Sequence, residues 1–206
     1  MRRILALIIS VVFQPLIITV IAFGLILYTV PEATSLPATF KKTIYYLIVL
    51  STLVIPIITI FGLKLSGTLK SLHMETIQDR IIPFSITSIY YLLTLYFLYK
   101  KAEIDPILWQ VLAVISVVVI GLTVITFFWK MSAHMTGMGG LLAIVIVLGM
   151  KFPTFKVLYP LLLAISLNGI VGSSRLYLEA HRPIEIYVGL IFGFTLCFIG
   201  FSMLWS

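Results

Sequence analysis

Acidic residues are scarce in this chain: seven Asp and Glu stand against fourteen Lys and Arg in 206 residues, and charged residues of both signs make up only 10%. So thin a supply of charge cannot clothe a soluble domain of this length. Cysteine is nearly absent as well. The single Cys197 excludes an intramolecular disulfide and leaves the redox compartment unread. Internal repeats and low-complexity tracts are lacking. The net charge of +7 does not make a nucleic-acid binder, because the cations fall in scattered groups at the ends of apolar runs: Lys41-Lys42, Lys100-Lys101, and Lys151 with Lys156. Such groups set membrane topology or meet anionic lipid headgroups, and no continuous basic face with stacking aromatics accompanies them.

What is abundant is apolar surface, with 61% hydrophobic residues and a mean hydropathy of +1.19. Apolar stretches of about 18 to 25 residues recur along the whole chain, separated by short polar loops. Seven spanning or near-spanning segments are expected, over 4–30, 43–63, 81–99, 107–129, 136–150, 155–172 and 184–205. Each must be helical, since an open strand edge in hydrocarbon leaves peptide groups unpaired. The expectation is an all-α polytopic transmembrane helical bundle of about six or seven spans, forming one domain over 1–206. Met1-Arg2-Arg3 imitates a secretion signal, but the apolar run that follows is too long and lacks a small-residue cleavage site, so it reads as a retained first helix.

Proline punctuates this pattern. Pro15 and Pro56 lie within segments and are expected to kink them, whereas Pro83, Pro106 and Pro183 are expected at helix starts, where a missing N–H costs little. The fifth segment would be only ~22 Å long, which sinks the 130–136 loop below the headgroup plane. Gly189 and Gly193, four apart, offer a small-residue face for packing within the chain or for a homodimer. Asn168-Gly169 offers a close approach and a hydrogen bond between helices.

Alternation of the spans gathers the N-terminus and the loops 64–80, 130–136 and 173–183 on one face, and with them all three histidines. Ionisable groups at such depth are expensive unless they serve a site. In His181-Arg182-Pro183-Ile184-Glu185, Pro183 suits the first turn of the last helix, which puts His181 just outside it and turns Glu185 back toward the imidazole. A carboxylate one turn away can accept the ring N–H, fix the tautomer and free the other nitrogen as a nucleophile. Arg175 adds a planar fork of donors suited to phosphate. A second cluster, Lys130-Met131-Ser132-Ala133-His134, precedes a helix start that can itself bind an anion, with Ser132 and Lys130 as further donors and His134 as a proton donor. Two histidines, an arginine, a lysine and a serine describe a phosphoryl-transfer site that needs no metal and no cofactor.

At these residues the chain resembles the type-2 phosphatidic acid phosphatase superfamily. That family's third motif, Ser-Arg-x5-His-x3-Asp, matches Ser174, Arg175 and His181 at the right spacing, with Glu185 in place of Asp. Its Pro-Ser-Gly-His motif survives as Met131-Ser132-Ala133-His134, and its Lys-x6-Arg-Pro motif only as His73, six residues, and Arg80 followed by Ile81. The resemblance therefore covers about 73–205. It implies a membrane lipid phosphatase with a phosphohistidine intermediate on His181, oriented by Glu185, while His134 protonates the leaving alcohol. It further implies that Arg175, Ser174, Ser132, Lys130 and Arg80 hold the phosphate oxygens of a lipid substrate, and that the protein sits in a bacterial cytoplasmic membrane. Blander uses of the same residues are a helical Arg175–Glu179 ion pair, interfacial placement of His73, and a soft-metal site at Met131, His134, Met135 and Met138. A degenerate homologue that binds or moves a phospholipid without cleaving it is the competing function. A transporter would need a midplane site and related halves.

Overall fold

The computed structural model describes residues 1–69, 71, 74, 76–101, 104–153 and 155–205, with the backbone alone at Phe155. It is all-helical, 84% helix, with no strand among the described residues. The helices are α1 (Arg2–Val12), α2 (Pro15–Gly24), α3 (Ala38–Val49), α4 (Ile55–Leu65), α5 (Ile77–Lys100), α6 (Pro106–Thr126), α7 (Ala133–Lys151), α8 (Leu158–Tyr177) and α9 (Pro183–Leu204). Five spans are long and apolar enough to cross a membrane: Ala38–Leu65, α5, α6, α7 and α9. The bent pair α1–α2 makes a sixth if counted as one.

Three departures from the expected segments have local causes. The first segment is not a kinked rod but two helices bent by 56°, because Gln14 precedes Pro15 and takes an extended conformation at φ −63°, ψ 150°. The sixth segment does form a helix, α8, but Asn168, Ser173, Ser174 and Arg175 lie within it, and it is not among the apolar spans. Pro83 lies inside α5 rather than at its start, since Thr76 accepts from the Asp79 N–H at 3.2 Å and donates to the Asp79 carboxylate at 2.7 Å, capping the helix earlier than hydropathy suggests. By contrast Pro106 and Pro183 occupy first turns as expected. Pro56 follows a π-turn over Leu50–Val54, a wide turn of the kind that accommodates a proline inside a span.

The core is centred on α7, most of which is buried, and on its contact with α9. There the backbones approach closely. A Cβ on Gly193 would collide with the Thr136 carbonyl, one on Gly139 with the Leu190 carbonyl, and one on Gly189 would lie 2.8 Å from the Ser132 carbonyl. The Gly189–Gly193 face is thus filled by α7 of the same chain, and is not free for a second copy. Hydroxyl pairs tie other helices together: Thr19 with Tyr91 at 2.8 Å, Ser88 with Thr123 at 2.9 Å, and Thr59 with Tyr90 at 2.9 Å. Asn168 donates to the Met138 carbonyl at 3.3 Å, the interhelical bond anticipated at that position. Helix α7 begins at Ala133, three residues before its expected start, and at 19 residues is ~28 Å long. Its length is thus close to a ~30 Å hydrocarbon core rather than the ~22 Å expected.

Candidate functional site

Helix α8 ends where Glu179 turns left-handed at φ 53° and the Ala180 N–H closes onto the Arg175 carbonyl at 3.1 Å. This reversal directs His181 back toward the bundle and separates Glu179 from the helical register that an Arg175–Glu179 ion pair requires. Pro183 then opens α9, with Arg182 as its cap. From the third position of α9, Glu185 Oε2 accepts from the Arg182 N–H at 3.2 Å and from His181 Nδ1 at 2.7 Å. The His181 side chain is 2% exposed.

Burial, then the charges of Arg80, Arg175 and Lys130, push the His181 imidazole down to about 3, against an opposing contact with the Lys130 backbone. At neutral pH the ring is uncharged, so its short contact with Glu185 is a hydrogen bond donated by Nδ1–H and not an ion pair. The other nitrogen is then an unprotonated lone pair. Arg80 Nη2 faces that lone pair at 3.5 Å, and its own fork is fixed by bonds to the Met74 carbonyl at 2.9 Å and the Met131 carbonyl at 3.2 Å.

These residues line one cavity of about 590 Å³, to which Arg3, Arg80, Lys130, His134, Arg175 and His181 all contribute. Arg175 Nε is buried without a hydrogen-bond partner among the described residues. Among the described lining residues four are cationic, Arg3, Arg80, Lys130 and Arg175, and Glu179 is acidic, with Glu185 behind His181. Cations thus predominate in the described lining, and with Arg80 buried among them such a lining suits an anion. Apolar side chains, among them Leu7, Leu16, Phe84, Val119 and Leu122, line much of the rest, with Gln14, Thr87 and Thr123 as further polar groups.

Not every expected donor faces this space. Ser132 is fully buried and caps α7 through the Met135 N–H at 3.5 Å, while Ser174 donates to the Ile170 carbonyl one turn back at 2.8 Å. Neither lines the cavity. His134 does, but its Nε2–H donates to the Ser10 carbonyl of α1 at 2.9 Å, which leaves Nδ1 as its free nitrogen. Met131, Met135 and Met138 are buried, Met135 and Met138 in the main apolar core and Met131 in a smaller cluster with Leu122 and Ala133. His73 lies outside the described residues. Two contributors had no motif to announce them. Arg3 reads in sequence as a topology signal, and the Ser10 carbonyl is a backbone group that any residue would supply.

Fold and site together define an integral membrane protein with a cation-lined, partly apolar cavity that holds a neutral, carboxylate-oriented histidine. Comparison with family models, with curated proteins and with solved structures returns no match.

Proposed function

We propose that the chain is a metal-independent membrane lipid phosphate phosphatase or phosphotransferase of the type-2 phosphatidic acid phosphatase kind, working in a bacterial cytoplasmic membrane. The observation that carries this reading is the placement of His181, Nδ1 2.7 Å from Glu185 and Nε2 3.5 Å from Arg80 Nη2, beside a cavity whose described lining is rich in cations. In the proposed first step Nε2 attacks phosphorus and the P–O bond to the lipid breaks. The departing alkoxide takes a proton from His134 Nδ1, which must be protonated for that turnover. Water then attacks the phosphohistidine and gives a proton to His134 Nδ1, the P–N bond breaks with its electron pair returning to Nε2, phosphate leaves, and His134 is again protonated. Arg80, Arg175 and Lys130 stabilise the charge gathered on the equatorial oxygens, the term that dominates phosphoryl transfer. Ser132 and Ser174 serve this site indirectly, as helix cap and helix back-bond.

A second reading has its own support. His134 spends its Nε2–H on Ser10, and Ser132 is consumed as a cap, as expected of a homologue that binds a phospholipid without cleaving it. Detergent-solubilised protein offered phosphatidic acid, phosphatidylglycerol phosphate, an isoprenyl diphosphate and a lipid A phosphate separates the two. The phosphatase reading expects phosphate release that vanishes in His181→Asn and falls steeply in His134→Asn. Binding of the same lipids with no release and no acid-labile phosphoprotein would favour the non-cleaving homologue.

A further inference from the structure

A second, narrower cavity of about 70 Å³ continues from the first into the bundle, and the two share Pro15, Val119, Leu122 and Ala133 as walls. Along α7 it is bordered by Ala133, Gly137, Gly140, Leu141 and Ile144, successive turns of one helix face. From Ala133 to Ile144 is ~16 Å at 1.5 Å per residue. The far end closes on Cys197 and Phe201 of α9, both buried.

Chemistry as well as shape distinguishes this slot from a water channel. Its two hydroxyls are already satisfied, Thr19 with Tyr91 at 2.8 Å and Thr136 with the Ser132 carbonyl at 3.0 Å. A site with no free polar partner does not hold water well. Gly140 faces Cys197 of α9, but Gly137 differs from the glycines at the α7–α9 contact. A Cβ at Gly137 would meet only the Ile18 side chain, nearest at 3.3 Å, and no backbone, so helix approach does not require glycine there. Glycine at this position leaves the slot open.

We propose that the slot takes one hydrocarbon chain of the phosphorylated lipid whose headgroup occupies the cationic cavity, and that Gly137 sets how deeply the chain enters. This rests on the reading of that cavity as a lipid-phosphate site. A volume of about 70 Å³ leaves room for one chain and no more, and the walls shared with the headgroup cavity supply the route. Any second chain stays in the membrane.

The test uses wild-type protein in nanodiscs with a palmitoyl phosphatidic acid carrying a diazirine at the terminal carbon of one chain, irradiated and mapped by peptide mass spectrometry. A diacylglycerol with the same labelled chain runs in parallel. Labelling within 140–144 and 197–201, stronger for the phosphatidic acid, supports the proposal. Labelling confined to outward residues such as Ile58, Leu93, Val117 and Ile191 overturns the slot and leaves the phosphate site untouched. Equal deep labelling by diacylglycerol keeps the slot and removes its link to phosphate binding. Gly137→Leu should reduce deep labelling roughly tenfold, the equivalent of excluding about two methylenes. If that variant does not fold, Gly137→Ala reads the same shift with a smaller side chain. Unchanged deep labelling in a folded variant contradicts the role given to Gly137.

Discussion

Replacing Glu185 by Gln isolates the charge of the group behind His181 while keeping its size. Glu185 Oε2 now accepts two hydrogen bonds, from His181 Nδ1 at 2.7 Å and from the Arg182 N–H at 3.2 Å. Bonds to a charged acceptor are worth ~1 kcal/mol more than neutral ones, so the Gln variant should lose about 2 kcal/mol of stability. Ala would leave the buried His181 Nδ1–H unpaired and the part-buried Arg182 N–H to water, at roughly 2–3 kcal/mol. The catalytic effect should be far larger than the structural one for Gln. An amide can turn its N–H₂ toward Nδ1, which moves the ring proton to Nε2 and blocks the attacking lone pair. Loss of tautomer control of this kind costs on the order of 10³- to 10⁴-fold in turnover. Thermal unfolding in detergent gives the stability term, phosphate release gives the rate, and ¹⁵N spectra of the imidazole report the tautomer directly. A folded Gln variant that keeps the Nδ1–H form and loses less than tenfold in rate would refute the reasoning.

Two further outcomes test the site and its scaffold. An unfolded histidine titrates near 6.5, whereas His181 is held down to about 3 by burial and neighbouring cations. The unfolded chain therefore binds a proton between these values that the folded chain does not, and stability should fall as pH falls through that window. The slope approaches ~1.4 kcal/mol per pH unit and totals roughly 4–5 kcal/mol. Denaturant melts of wild type and His181→Asn from pH 7 to 3 should differ in slope by this amount, and parallel curves would place the imidazole in a more open setting. At the α7–α9 contact, Gly193→Ala drives a Cβ into the Thr136 carbonyl, while Gly169→Ala meets nothing within 4 Å. The first should cost about 3 kcal/mol or more and the second should be neutral or gain up to ~1 kcal/mol from helix propensity; equal melting temperatures would contradict the packing.

Hydropathy alone located a helix in each of the seven expected segments, because membrane-length apolar runs admit little else. It could not see boundaries fixed by single polar contacts. The Thr76–Asp79 cap extends α5 toward its N-terminus past the apolar residues, and Gln14-Pro15 splits the first segment although both halves are apolar. For the site, motif spacing and span alternation brought Arg80, Lys130, His134, Arg175 and His181 to one face, and they share one cavity. Spacing does not reveal direction, however. Ser132 and Ser174 stand at matching positions yet turn their hydroxyls into backbone bonds, a choice set by helix phase and burial that no motif encodes.

Where the motif that the chain resembles has Asp, Glu185 suits the local geometry. Position 185 is the third residue of α9, and a carboxylate there must reach back past the cap to serve an imidazole four residues earlier. Glu is the residue whose length suits a reach from that position to the cap N–H. Here it accepts from that N–H and from His181 with the same oxygen. Asp, one methylene shorter, could not readily satisfy both from this turn. The longer side chain joins the start of α9 to the orientation of the nucleophile, so the helix cap and the proposed chemistry depend on one carboxylate. A folded Glu185→Asp variant should accordingly lose His181 orientation even though the charge is kept.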